Sequence, residues 1–294
     1  MLPSASRVLR PALIALIAFS LLSGMLGGLL RAGLPIFPVI PAEWILSTAS
    51  LHAALMICGF LGTVIGIERA VALHAPWAFV APMSSALGSV LLVTGHANLG
   101  LWLFMLAASI FVLVNVFIVG KQAALHTYLL LLSALLWLGG NLHFMHHGLH
   151  NATLASWFSY LVITIAAERL EMTRLMRPHA WSRPLLGAAL AIVLAGTMLM
   201  AWRDATGCVL FGAGLLALAL WLMRFDIARQ TIKTEGLSRY MAVCLLSGYA
   251  WLGVSGVSWM TLGLGLPYRD AALHALALGF IMSMVMGHAP FILA

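Results

Sequence analysis

Apolar residues run along this chain in blocks of about twenty, separated by short polar turns. Ten blocks stand out, at residues 11–33, 45–67, 77–95, 99–120, 126–146, 152–170, 184–202, 205–223, 240–263 and 271–293. At 1.5 Å per residue each is long enough to cross a bilayer as a helix. The longest polar stretch, Arg224 to Arg239, has the size of a loop. The pattern therefore predicts one all-α domain over 1–294, a polytopic integral membrane helix bundle with about ten transmembrane helices and no soluble part. Span 1 follows Arg7 and Arg10 as a signal peptide would, but it is long and lacks a clear small-residue cleavage site, so it reads as a retained helix. The chain stops inside its tenth span at Phe291-Ile-Leu-Ala294, without a polar flank, as an incomplete or divergent sequence would.

The basic residues orient these spans. With a cytoplasmic N-terminus, twelve of the 15 Lys and Arg fall on inner loops, and only Arg31, Arg203 and Arg269 fall outside. That is a strong positive-inside bias and predicts a multi-pass protein of the inner (plasma) membrane, with the lipid bilayer as its first partner. Composition agrees: 63% of residues are hydrophobic and 8% charged, against about 25% charged in a soluble globular domain. A net charge of +7 and a pI near 9.9 are explained by orientation and give no reason to expect nucleic acid. Three cysteines, none in CxxC spacing, exclude a disulfide scaffold.

With so little charge, the eleven histidines carry the candidate chemistry. Three lie within apolar sequence: His52 in span 2, and His274 and His288 in span 10. His52 follows Glu43-Trp44 by about eight residues and His274 follows Asp270 by four, so both predict an outer-third position. Two imidazoles at matched depth on different helices are what a haem iron held from both faces needs. His288 lies about 21 Å deeper and, on an uninterrupted α-helix, about 40° from the face of His274. One helix would then present a ligand near each membrane surface. The plain alternative is a neutral histidine bonding a neighbouring helix's carbonyl or hydroxyl inside the bundle.

A second cluster, His143-Phe-Met-His146-His147-Gly-Leu-His150, ends span 5. If the helix continues this far, all four rings share about 100° of arc, and a short His-rich tract is a candidate copper, zinc or iron site. Its alternative is an interfacial aromatic belt ended by Gly148. Met56 shares a face with His52 and reads as packing against the ring. Met282, Met284 and Met286 point in different directions and read as packing. Small residues at every fourth position, Ala54, Cys58, Gly62 and Gly66 in span 2 and Ala275, Gly279, Ser283 and Gly287 in span 10, predict close helix approach. Glu68-Arg69 and Glu168-Arg169 close spans 2 and 6 at the inner surface. They read as a cytoplasmic rim that anchors the helices, or that takes a partner, protons or haem propionates.

Two stretches resemble a known family. His52-Ala53-x-x-Met56-x-x-Gly59-Phe60 resembles the second-span motif of the NnrS family, and His274-Ala275-Leu276-x-x-Gly279-x-x-x-x-Met284 is similar to that family's later His-bearing span. The resemblance implies a polytopic α-helical protein with haem and copper, distantly like the large subunit of haem-copper oxidases. It further implies a role in nitric oxide stress and denitrification, with respiratory electron-transfer proteins as partners. Carried over by position, it supports His52 and His274 as haem or metal ligands. The family motif has a second His and a Glu where this chain has Ala54 and Leu55, and the family has about twelve spans. Two other functions stay open: a transporter or permease with structural histidines, for which Leu51-His-Ala53 and Leu273-His-Ala275 form a faint repeat, and an assembly factor for a respiratory enzyme. No hydrolase or paired-carboxylate pattern points to catalytic residues.

Overall fold

The computed structural model describes residues 3–34, 42–172 and 179–293, nearly all of them helical, with no strand among them. In chain order the helices are α1 (Pro3–Arg31), α2 (Ala42–Ala54), α3 (Gly62–Leu73), α4 (Val80–Val93), α5 (Ala97–Lys121), α6 (Leu125–His147) and α7 (Asn151–Met172). They continue with α8 (Ser182–Leu199), α9 (Asp204–Phe225), α10 (Ala228–Thr231), α11 (Gly236–Gly263), α12 (Arg269–His274) and α13 (Met282–Leu293). Two seven-residue π-helices bridge neighbours: Leu55–Leu61 joins α2 to α3, and Ala275–Ile281 joins α12 to α13. Arg174 and Arg177 lie outside the described residues.

A helix occupies every predicted span, and among the described residues nine are long and apolar enough to cross a membrane. The tenth, α7, is the informative exception. Sixteen of its 22 residues are buried, including Trp157 and Tyr160, which have no exposed surface. By contrast, only 28% of the first span is buried. A helix enclosed by protein need not match lipid, so α7 can carry hydroxyls that find partners: Ser159 with Thr197 at 2.8 Å, and Thr164 with Ser133 at 3.0 Å. The tenth predicted run is thus a helix at its predicted place, less apolar than the other nine because protein rather than lipid surrounds it.

Contacts divide the chain into two units, Met1–Thr127 with Ala134–Gly148, and Tyr128–Ser133 with Leu149–Ala294, so α6 contributes to both. In the first, Trp137 Nε1–H points at the Cys58 sulfur (3.4 Å), and that thiol faces Asn141 Oδ1 (3.3 Å). Asn141 in turn donates to the Phe104 carbonyl (2.9 Å). Cys58 is thus a fully buried packing residue. In the second unit α9 lies against α11 so closely that a Cβ on Gly256 would stand 2.7 Å from the Gly212 carbonyl oxygen, and a Cβ on Gly212 would meet the Gly256 carbonyl in return. Only a hydrogen fits at either position.

The two π-helices are copies of one local design. Each closes on an N–H that reaches five residues back, Gly62 to the Ile57 carbonyl and Met282 to the Ala277 carbonyl. Each ends in Gly-Phe followed by an aliphatic residue, Gly59-Phe60-Leu61 and Gly279-Phe280-Ile281. Two residues later a hydroxyl turns back onto the glycine carbonyl: Thr63 Oγ1 donates to Gly59 O and Ser283 Oγ to Gly279 O, both at 2.6 Å. A π turn shifts the backbone hydrogen-bond ladder by a residue, and a hydroxyl there satisfies a carbonyl that hydrocarbon would leave bare. Each π turn also admits an extra residue, worth about 100° of rotation. The expected sharing of a face by His274 and His288 assumed an unbroken α-helix, and the π-helix between them removes that premise.

Replacing Gly212 with Val forces α9 and α11 apart. The variant should lose about 1–3 kcal/mol of stability, read as a lower melting temperature of the detergent-solubilised protein, while Gly253→Ala, in more open packing, should melt like the parent.

Candidate functional site

His52 is the best-prepared imidazole. Its Nδ1 stands 2.6 Å from the Gly24 carbonyl on α1, which assigns the proton to Nδ1 and leaves Nε2 as the acceptor nitrogen. A Cβ placed on Gly28 would come within 3.0 Å of Cε1, 3.4 Å of Nδ1 and 3.5 Å of Nε2. Such similar distances put Gly28 over the face of the ring rather than in its plane. At Gly27 a Cβ would lie 3.3 Å from His52 Cβ, and at Gly24 one would lie 2.6 Å from the Met56 sulfur. The glycine-rich stretch of α1, legible in the sequence only as part of a span, is therefore the surface on which His52 and Met56 both rest. The structure places the Met56 sulfur against Gly24 of α1.

His274 departs from expectation. It lies at the end of α12 with Nδ1 2.9 Å from the Asp270 carbonyl, four residues back, and it is exposed instead of turned into the bundle. His288 repeats the bond with the Met284 carbonyl at 2.8 Å. All three span histidines thus place Nδ1 on a backbone carbonyl, two of them on their own helix.

The terminal cluster of α6 is partly assembled. The His143 and His147 rings lie with centroids 4.7 Å apart and planes tilted by 40°, and the His146 ring centroid lies 6.4 Å from that of His147. The helix does not continue to His150. Gly148 takes φ 76°, which ends it, so the expected single arc of four rings is corrected to three residues on α6 and one beyond the turn. Among the described residues no three His, Cys, Asp or Glu converge in a group that would hold a metal ion.

The arginines do not form a solvated rim. Arg69 and Arg169 are 8% and 4% exposed, whereas the Glu68 side chain, 2.7 Å from Arg69, is 54% exposed. Arg169 belongs to a cluster that sequence spacing did not reveal. Its guanidinium stands 3.9 Å from Asp226 Oδ2 and 3.5 Å from His288 Nε2, and the Tyr249 hydroxyl faces both Arg169 and Asp226. Asp226, Tyr249 and Arg169 are all buried. The Arg224–Arg239 stretch is thus more than a loop: its third residue turns inwards, and Asp226 Oδ1 accepts from the Ala228 N–H at 2.8 Å in an Asx-type turn just before α10. The signal that was available is a lone Asp directly after a span. In each unit the residue seven places beyond the π-helix, Glu68 or His288, faces an arginine.

Burial pushes the Asp226 carboxyl above its ordinary range, against the opposing pull of Arg169 and the Ala228 N–H.

The chain described here is a multi-pass, all-α membrane protein with two helical units, a histidine cradled by glycine in the first and a buried ionic cluster in the second. Family comparison places it further: the profile of a domain of unknown function, DUF8744, matches residues 10–294, and the chain belongs to that family. No curated protein and no solved structure matches it.

A raised carboxyl pKa means the neutral acid favours the folded state. That contribution is complete below the ordinary carboxylate value of about 4 and is lost as pH rises through the higher folded value. Melting temperature should therefore contain a component that falls as pH rises above about 4, and Asp226→Asn should remove it, as a pH series of thermal melts would show.

Proposed function

We propose that the protein is a haem-binding membrane protein of NnrS-like type, in which His52 and His274 are the iron-ligand candidates. The observation that carries this reading is the His52 environment. A metal-ligating histidine characteristically donates its second ring N–H to a carbonyl or carboxylate, which fixes ring orientation and raises the basicity of the ligating nitrogen. Gly24 supplies that carbonyl, and Gly28 leaves a bare backbone against the ring face. The residues present therefore fit a histidine that would hold haem iron. His274 has the same Nδ1 arrangement and an exposed ring.

Haem would supply diatomic-ligand binding and one-electron transfer there. The chain's own part is to hold His52 Nδ1 protonated and to keep the adjoining space apolar through Met56 and the α1 glycines. The paired rings of His143 and His147, with His146 beside them, are the candidate copper position. On this reading the protein sits in the bacterial inner membrane, serves the nitric oxide response or denitrification, and meets respiratory electron-transfer proteins.

A second reading rests on a different observation. Paired, interrupted helices in corresponding places are a mark of transporters, and the repeated Leu-His-Ala start followed by a π-helix has that character.

Purified protein, expressed with haem supplied, should show a Soret band that His52→Ala abolishes and His274→Ala abolishes or shifts, with iron in the metal analysis. Colourless, iron-free parent protein defeats the haem reading. Solute uptake into liposomes that survives His52→Ala would establish the transporter instead.

A further inference from the structure

A charge enclosed in apolar protein is costly unless it is closely paired, and Arg169 stands wide of its two acceptors among the described residues. Charge-assisted N–H···O contacts ordinarily close to about 2.7–2.9 Å. Arg169 stands 3.9 Å from Asp226 on one side and 3.5 Å from His288 on the other, with its side chain 5% exposed and that of Asp226 fully buried. Three buried polar atoms of this cluster, Arg169 Nε, Asp226 Oδ2 and Tyr249 Oη, have no hydrogen-bond partner among the described residues. The guanidinium is thus shared between two acceptors, neither of them at the close distance of a charge-assisted hydrogen bond. The residues come from α7, the segment after α9, α11 and α13, so four separate parts of the second unit meet here.

We propose that Arg169, Asp226, Tyr249 and His288 form a proton-binding site, in which Asp226 takes up one proton and Arg169 then shifts its pairing to His288. The step is balanced. A hydronium ion gives its proton to Asp226 Oδ2, an O–H bond forms, and water is released. The ion pair becomes a neutral acid beside a cation, and Arg169 turns fully to the Nε2 lone pair of His288, whose own proton is held on Nδ1 by Met284 O. Tyr249 Oη accepts from the new acid or donates to the carboxylate, and so serves both states.

Among the described residues, the charged and titratable groups facing Asp226 are Arg169 from α7, Tyr249 from α11 and His288 from α13, with the Ala228 N–H from its own segment. Burial raises the carboxyl and Arg169 lowers it, so the two opposing influences lie within this one cluster. The site needs no cofactor and stands apart from the haem reading, and its test uses protein prepared without haem.

The test is infrared difference spectroscopy of the purified full chain in lipid across a pH series. Acidification should raise the C=O stretch of a protonated carboxylic acid, and that band should move in heavy water. Asp226→Asn should delete it. Arg169→Gln, which removes the opposing charge, should raise its midpoint by about 1–3 pH units. Tyr249→Phe keeps both charges and guards against a variant that fails to fold. It should leave a titrating band at a changed frequency, because one hydrogen bond to the acid is gone. Absence of an exchangeable carboxylic band in the parent overturns the proposal and leaves a structural ion pair. A band that survives Asp226→Asn, a midpoint unmoved by Arg169→Gln, or a frequency unmoved by Tyr249→Phe overturns it equally.

Discussion

Water cannot hold this chain together in the usual way. Where lipid surrounds a helix, burying apolar surface against another helix gains little, so association rests on close backbone approach and on polar groups that find partners inside. The Gly212–Gly256 contact and the hydroxyls of Ser159 and Thr164 meet those two requirements in the second unit. In the first unit the chain of bonds from Trp137 through Cys58 and Asn141 to Phe104 O does the same. The exterior follows from the same constraint: α1 is strongly apolar and little buried, while α7 is less apolar and almost wholly enclosed.

Both candidate sites arise where that economy of polar groups is under most pressure. At His52 the pressure is relieved locally, since one carbonyl takes the Nδ1 proton and glycines make room for the ring. At Arg169 it is relieved incompletely, with one cation divided between two acceptors and a phenol looking on. The two settlements differ in kind: the imidazole has its carbonyl at 2.6 Å, whereas the cation stands 3.5 and 3.9 Å from its two acceptors.

The spans were legible in the sequence because hydrocarbon thickness imposes a length and a composition on each crossing helix, and a helix stands at every block read as apolar. The small residues of spans 2 and 10 were legible too, for close packing demands them. What escaped was anything set by local winding or by contact between distant parts. The π-helices were hidden because their shared Gly-Phe ending falls seven residues after His52 but five after His274, so a repeat sought at constant spacing is not found. Asp226 was hidden because a carboxylate just beyond a span looks like loop, and only the fold brings it to an arginine 57 positions earlier. The reach of the α6 cluster was overestimated because a positive φ at Gly148 outweighs three well-spaced histidines.

The π-helix Leu55–Leu61 lets span 2 carry one residue more than its α-helical path requires. In a plain α-helix that residue would turn everything after it by about 100°, whereas the wider turn takes it up locally. His52 on one side, and Glu68 with Arg69 on the other, therefore keep the relative headings of a helix one residue shorter. A deletion inside this segment that restored plain α winding would leave both ends facing as they do.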